Sequence, residues 1–170
     1  MHTAHTANRT DGCGDIPTAS HTGRIINNFS VGDLNRIFLQ ESQSYLAGQV
    51  ATEQYQQVIK DYAHAWTIRH GNDVIAVLGF MPVHEHRATA WALIGENAGK
   101  HMLWLTKTVA RVLANAPWER IEATLIIDSA TGKPLQQAVK WMDLLNFIYE
   151  GTLKCYDSTG HDVAMYRYNR

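Results

Sequence analysis

Residues 88–94, Ala88-Thr89-Ala90-Trp91-Ala92-Leu93-Ile94, form an apolar run of strand length. Past a short polar turn, Met102, Leu105, Val109, Val112 and Leu113 recur at helical spacing, and the helix must end before Pro117. Ile121-Glu122-Ala123-Thr124-Leu125-Ile126-Ile127 is then a second apolar run. The unit is strand, helix, strand. If its strands are parallel, the crossover is right-handed.

Upstream, Ala65-Trp66-Thr67-Ile68-Arg69 and Val74-Ile75-Ala76-Val77-Leu78-Gly79-Phe80-Met81 read as strands joined by the turn His70-Gly71-Asn72-Asp73, with Pro82 expected to stop the second. Their short connections predict an antiparallel meander that ends in 88–94. Ile25–Phe29 is a first strand. Ser30 and Asp33 resemble a capping box for a helix bearing Leu34, Ile37, Phe38, Glu41 and Tyr45, and Thr52 caps a second with Tyr55, Val58, Ile59 and Tyr62. Downstream, Leu135, Ala138, Met142 and Leu145 mark a helix, and Phe147–Gly151 and Asp162–Tyr168 are closing strands. The order is β-α-α-β-β-β-α-β-α-β-β, a mixed α/β domain over 24–170.

The chain has 170 residues, 45% of them hydrophobic and 18% charged, which suits one packed domain. Lys plus Arg is 15 and Asp plus Glu 16, a net charge of -1, which argues against a polybasic nucleic-acid binder. No apolar run reaches the roughly 18 residues that span a bilayer. Cys13 and Cys155 are the only cysteines and make no disulfide framework, so a cytoplasmic setting is expected. Residues 1–23 carry almost no large apolar side chain and read as a flexible tail, His2, His5 and His21 included. His84-Glu85-His86 reads as an exposed loop, because a metal site needs three or four fixed ligands. Trp66, Trp91, Trp104, Trp118 and Trp141 read as core or rim rather than a base-stacking surface.

The element order, together with Leu145-Asn146-Phe147-Ile148-Tyr149-Glu150-Gly151, resembles the GCN5-related N-acetyltransferase superfamily, whose helix-to-strand junction is usually Leu-Gly-Phe, often with Glu-Gly beyond. Leu153-Lys154, Asp157, Gly160 and 162–166 resemble its closing hairpin, most closely in small acetyltransferase-like proteins of bacteriophages. The resemblance implies a largely antiparallel central sheet with helices on both faces and splayed strands at a cofactor cleft. It implies acetyl-coenzyme A as cofactor and an amine-bearing acceptor as partner. The backbone of Ala92, Leu93 and Ile94 would meet the pantetheine arm, and Asn97, Ala98, Gly99, Lys100 and His101 would form the phosphate loop at a helix start. Sheet-edge pairing in the family leaves a homodimer open, and a phage origin would place the chain in the host cytoplasm.

Acetyl transfer needs a base for the amine and an acid for the departing thiolate. Glu96 and then Asp128, at the ends of the splayed strands, are the candidate bases. The family's usual tyrosine acid falls at Met142, which cannot donate a proton, so Tyr149 or Tyr156 would have to replace it. The loop Gly95-Glu96-Asn97-Ala98-Gly99-Lys100 also lacks the family's full glycine set. Those two departures motivate an alternative: a catalytically inactive protein of the same fold that binds a host factor or belongs to a virion.

Overall fold

The computed structural model describes residues 23–170, and the expected tail up to residue 22, its histidines included, lies outside the described residues. β1 is Arg24–Asn28, and two short 3-10 turns, Asp33–Arg36 and Glu41–Leu46, lead to α1, Ala47–Val50, and α2, Glu53–Tyr62. Next come β2, His64–His70, β3, Asp73–His84, and β4, Arg87–Ile94. A 3-10 turn, Glu96–His101, runs into α3, Met102–Ala114. β5 is Arg120–Asp128, β6 Lys133–Pro134, α4 Gln136–Leu144, β7 Phe147–Leu153 and β8 Val163–Tyr168.

The sheet order is β1-β2-β3-β4-β5-β8-β7, with β6 paired to β5. Only β4 and β5 are parallel. The other pairs are antiparallel, as short turns allow. This is the mixed, largely antiparallel α/β sheet expected, with helices on both faces. On one face Leu105 and Leu113 of α3 and Met142 of α4 pack on Ala88, Ile94, Ile121, Ala123 and Tyr166. On the other, Val50 and Ile59 pack with Leu34, Ile37, Val74, Val77 and Leu93. Alternation along β4 sends Ile94 to one core and Leu93 to the other, which is why that strand reads as continuously apolar.

Three local expectations are corrected. The helix expected through Leu34–Tyr45 does not form. Ser30 N–H does bond Asp33 Oδ2 at 3.0 Å, the returning half of the capping box. The chain then becomes extended at Ile37, with φ -97° and ψ 127°, and Leu39 makes an antiparallel bridge to Gly95. Backbone pairing with the end of β4 wins over the helical stripe and leaves Phe38 exposed. Pro82 does not stop β3, which continues to His84. β2 ends opposite Phe80, so Pro82 sits where β3 has lost that neighbour and its missing N–H orphans no partner. In α2 the buried positions are Gln56 and Ile59, while Val58 and Tyr62 are exposed. Gln56 accepts from Gly32 N–H at 2.6 Å and donates to Asn35 Oδ1 and Val50 O, so a polar residue takes the core-facing position fully bonded.

Candidate functional site

β4 and β5 stand together only at Arg87 and Arg120, Ala88 and Ile121, and Thr89 and Glu122. Beyond Thr89, β4 stays with β3, and beyond Glu122, β5 stays with β8. The two strands therefore fork. The fork is pinned by charge. Buried Glu122 accepts from Arg87 Nε at 2.9 Å and Nη2 at 2.6 Å, and from Arg120 Nε. Arg120 continues to Glu150, which also accepts from Arg167 Nε at 2.7 Å. Arg120 and then Arg167 hold the Glu150 carboxyl below the usual carboxylate range. Alternating charges thus cross β4, β5, β8 and β7.

The freed edge of β4 is occupied from within the chain. Gln43 Nε2 donates to Ala92 O at 2.8 Å, and Gln43 Oε1 accepts from Ile94 N–H at 2.8 Å. Gln40 N–H bonds Ile94 O at 3.0 Å. Backbone groups alternate along a strand, so Ala92 and Ile94 face the fork while Leu93 faces β3, opposite Val77. Of the three residues expected to offer backbone to a ligand, Ala92 and Ile94 turn theirs to the fork and Leu93 does not.

The turn after β4 is closed by its own hydrogen bonds. Gly95 N–H goes to Ile75 O, Glu96 N–H to Phe38 O at 2.8 Å, and Ala98 N–H back to Gly95 O. A Cβ at Gly95 would lie 2.9 Å from Asn97 Oδ1 and 3.2 Å from Ile75 O, so crowding requires glycine there. Gly99 and Lys100 are exposed, and a Cβ at Gly99 would meet nothing within 4 Å. His101, expected in a phosphate loop, is instead buried. Arg24 Nε donates to its Nδ1 at 3.2 Å, and its ring stacks on His70 at 4.7 Å. Burial first, then the charges of His70, Arg24 and Lys100, push its pKa below 6.5. Trp91 Nε1, Asn97 Oδ1 and His101 Nε2 are buried without a partner among the described residues.

At the end of β5, Asp128 accepts from Ala130 N–H at 2.9 Å and Thr131 Oγ1 at 3.1 Å and thereby shapes its turn. It also borders a cavity of about 320 Å³ with Ile127, Gly132, His161 and Asp162. His161 Nδ1 lies 2.9 Å from Asp157 Oδ2. Burial pushes the Asp157 carboxyl up, but bonds from His161 N–H, the Thr159 hydroxyl, the His161 ring and Thr159 N–H outweigh it and hold the group well below the usual range. Burial, then Asp157 and Tyr55, push the Tyr45 phenol upward.

The structure distributes the other expected residues. Glu96 is exposed just past β4, and its carboxylate makes no hydrogen bond or ion pair among the described residues. Tyr149 lies on β7 at the far edge of the sheet, bonded to Thr152 Oγ1 at 2.8 Å and packed on Tyr166, so it is remote from the fork. Tyr156 is exposed on the loop between β7 and β8 that carries His161. Met142 is buried in the core. Sequence reasoning missed Gln43, Glu122 and His161. Gln43 fell inside a segment read as one helix. Glu122 did leave a signal, a single carboxylate in an otherwise apolar strand with Arg120 two residues before it. His161 and Asp157 sit in an irregular loop whose geometry no periodicity reports.

No family model matches this chain, and no curated protein matches it. Solved structures do. A phosphinothricin N-acetyltransferase, so described as putative, matches with a TM-score of 0.64 and 15% identity over 86% of this chain and 98% of its own. An N-acetyltransferase from Staphylococcus aureus Mu50 matches with a TM-score of 0.64 and 12% identity, over 86% and 97%. A ribosomal L7/L12 alpha-N-protein acetyltransferase in complex with coenzyme A matches with a TM-score of 0.61 and 14% identity, over 88% and 96%. At such identities the likeness is one of fold, and the fold is that of the GCN5-related N-acetyltransferases.

The groups at the fork fit one part of coenzyme A better than another. A side-chain amide already docks on Ala92 O and Ile94 N–H, so the acceptor and donor at this edge are of the kind that the successive amides of a pantetheine arm would need. The phosphate end has less to meet it. Glu96 and Ala98 amides are already bonded, which leaves an open glycine and the Lys100 ammonium in place of a cradle of N–H groups.

Proposed function

We propose that this chain is an acyl-coenzyme-A-dependent N-acetyltransferase that moves an acetyl group to an amine by direct attack within a ternary complex. The observation that carries the reading is the fork itself: β4 leaves β5 after Thr89, and its freed edge has an acceptor and a donor that the successive amides of an extended arm need. The cofactor supplies a thioester when bound. Ala92 and Ile94 hold its arm along β4, and Lys100 with Gly99 meets its phosphates.

The acceptor enters from the end of β5. Asp128 lines the cavity there and favours an ammonium group by charge, while Asp162 beside it is already paired with Lys154 at 2.6 Å. Two groups are the candidates to take the amine proton. Glu96 stands at the end of β4 with its carboxylate unpaired among the described residues, and His161 borders the cavity with its ring oriented by Asp157. Asp128 is held by its turn and acts through charge. Tyr156, on the same loop as His161, is the phenol available to protonate the departing thiolate. Most of the rate gain comes from holding amine and thioester in register.

Isothermal titration with acetyl-coenzyme A, followed by an acetylation assay over a panel of amines, tests this. Saturable binding and acetylation weakened by Glu96→Gln or His161→Ala support it. No heat at millimolar cofactor ends it.

A second reading keeps the fold without the chemistry. Gln43 on the β4 edge and buried Met142 in α4 favour it. On that reading the chain is a binding protein, and it captures a stable partner while failing to bind coenzyme A.

A further inference from the structure

We propose that Gln43 is a displaceable occupant of the β4 edge, and that cofactor binds by exchanging its own amide for that of Gln43. The inference rests on the acetyl-coenzyme A reading above and adds to it a residue that sets affinity.

The contact has the pattern of a strand neighbour rather than of a chance side-chain bond. One amide gives a donor to Ala92 O and an acceptor to Ile94 N–H, both at 2.8 Å, on the two fork-facing residues at the end of β4. An extended ligand lying along this edge needs those same two atoms, with the N–H of one amide meeting Ala92 O and the C=O of a neighbouring amide meeting Ile94 N–H, because a single trans amide points its N–H and C=O in opposite directions. Both cannot be bonded to Gln43 and to a ligand at once, because the backbone N–H has a single proton to give. Ligand and side chain therefore compete, and the apparent affinity is the intrinsic one multiplied by the fraction of molecules in which Gln43 is undocked.

The segment that carries Gln43 is built to move at little expense. Glu41–Leu46 is a 3-10 turn with no buried residue, flanked by extended chain on one side and the four-residue α1 on the other. Elements with few buried apolar contacts open at low free energy, while the β3–β4 pairing beneath them stays intact.

The test uses the full chain and two variants, Gln43→Ala and Gln43→Met. The second keeps side-chain length and removes both hydrogen bonds. Calorimetric titration with coenzyme A, and with pantetheine as a probe lacking the nucleotide, is expected to show tighter binding by both variants than by the unaltered chain. The size expected is on the order of tenfold, the worth of two neutral hydrogen bonds that no longer have to be broken. Hydrogen exchange is expected to show the Ile94 amide protected in the unaltered chain, faster in both variants, and protected again once coenzyme A is added. Equal or weaker binding by both variants, with the unaltered chain binding well, overturns the exchange and leaves the transferase reading standing. Absence of binding in all three overturns the transferase reading, and this inference with it.

Discussion

Thr89 and Glu122 are the last residues at which β4 and β5 stand side by side, and the Glu122 carboxylate is gripped there by Arg87 and Arg120. The parting point of the two strands therefore coincides with a buried ion cluster. Past it, each strand follows its other neighbour, and the edge of β4 is left to a side chain.

Glu122→Ala removes the anion and leaves Arg87 and Arg120 facing one another over the fork. Loss of one partner from a buried pair costs about 3–5 kcal/mol. Both arginines are more than a third exposed, so solvent relieves part of that, and a loss of about 2 kcal/mol is expected. Urea denaturation of Glu122→Ala and Glu122→Gln measures it, with the amide variant losing less because it still accepts hydrogen bonds.

Gly79→Ala is expected to destabilise by about 3 kcal/mol. A Cβ at Gly79 would lie 2.4 Å from His64 O and 2.8 Å from Ala65 Cα, and both are backbone atoms of β2 that cannot swing aside. Thermal unfolding of the variant is the measurement. A melting temperature equal to that of the unaltered chain contradicts the close approach.

Asn146 stands where the family usually has glycine and adopts the left-handed conformation, φ 63°. Its side-chain N–H donates to Asn169 O, while Asn169 N–H bonds Asn146 O at 2.9 Å, so the helix end is tied to the chain's last residues. Asn146→Gly is expected to fold with little change. Asn146→Val should lose about 1–2 kcal/mol, since a β-branched residue resists positive φ. Chemical denaturation of the pair decides.

Burial and neighbouring cations lower the pKa of His101 below 6.5 in the folded chain. Above pH 6.5 the ring is neutral in both folded and unfolded states and contributes nothing to the pH dependence. Below it the unfolded chain takes up a proton that the folded chain refuses, so stability falls as pH drops. His101→Gln cannot titrate. Unfolding free energies followed from pH 6.5 to about pH 5 should therefore fall less steeply in the variant than in the unaltered chain.

How much of this was legible beforehand depended on the range of the interaction. Strands at 65–69, 74–81, 88–94 and 121–127, and the helices at 102–113 and 135–145, announced themselves through local apolar periodicity. Asn146 stood in the junction that carried the family resemblance, but its left-handed conformation is seen only in the structure. That the strands splay followed only from the family resemblance, and the parting point at Thr89 is seen only in the structure. Gln43 left no signal, because its meaning comes from atoms 49 and 51 residues away. The Leu34–Tyr45 stripe was misread for a related reason: helical spacing is a local property, and pairing with Gly95 overrode it. His161 and Asp157 are close in sequence, but their loop becomes the wall of a cavity only when it meets the end of β5.

The sequence by itself determined a mixed α/β domain with a strand-helix-strand unit at its centre, because side-chain period dictates which face of each element must be buried. Tertiary structure alone decided which backbone atoms β4 leaves unpaired and which side chain claims them. Hydrogen bonds at a strand edge go to whatever group the packed chain brings within reach, and that is a matter of three-dimensional distance rather than of pattern along the chain.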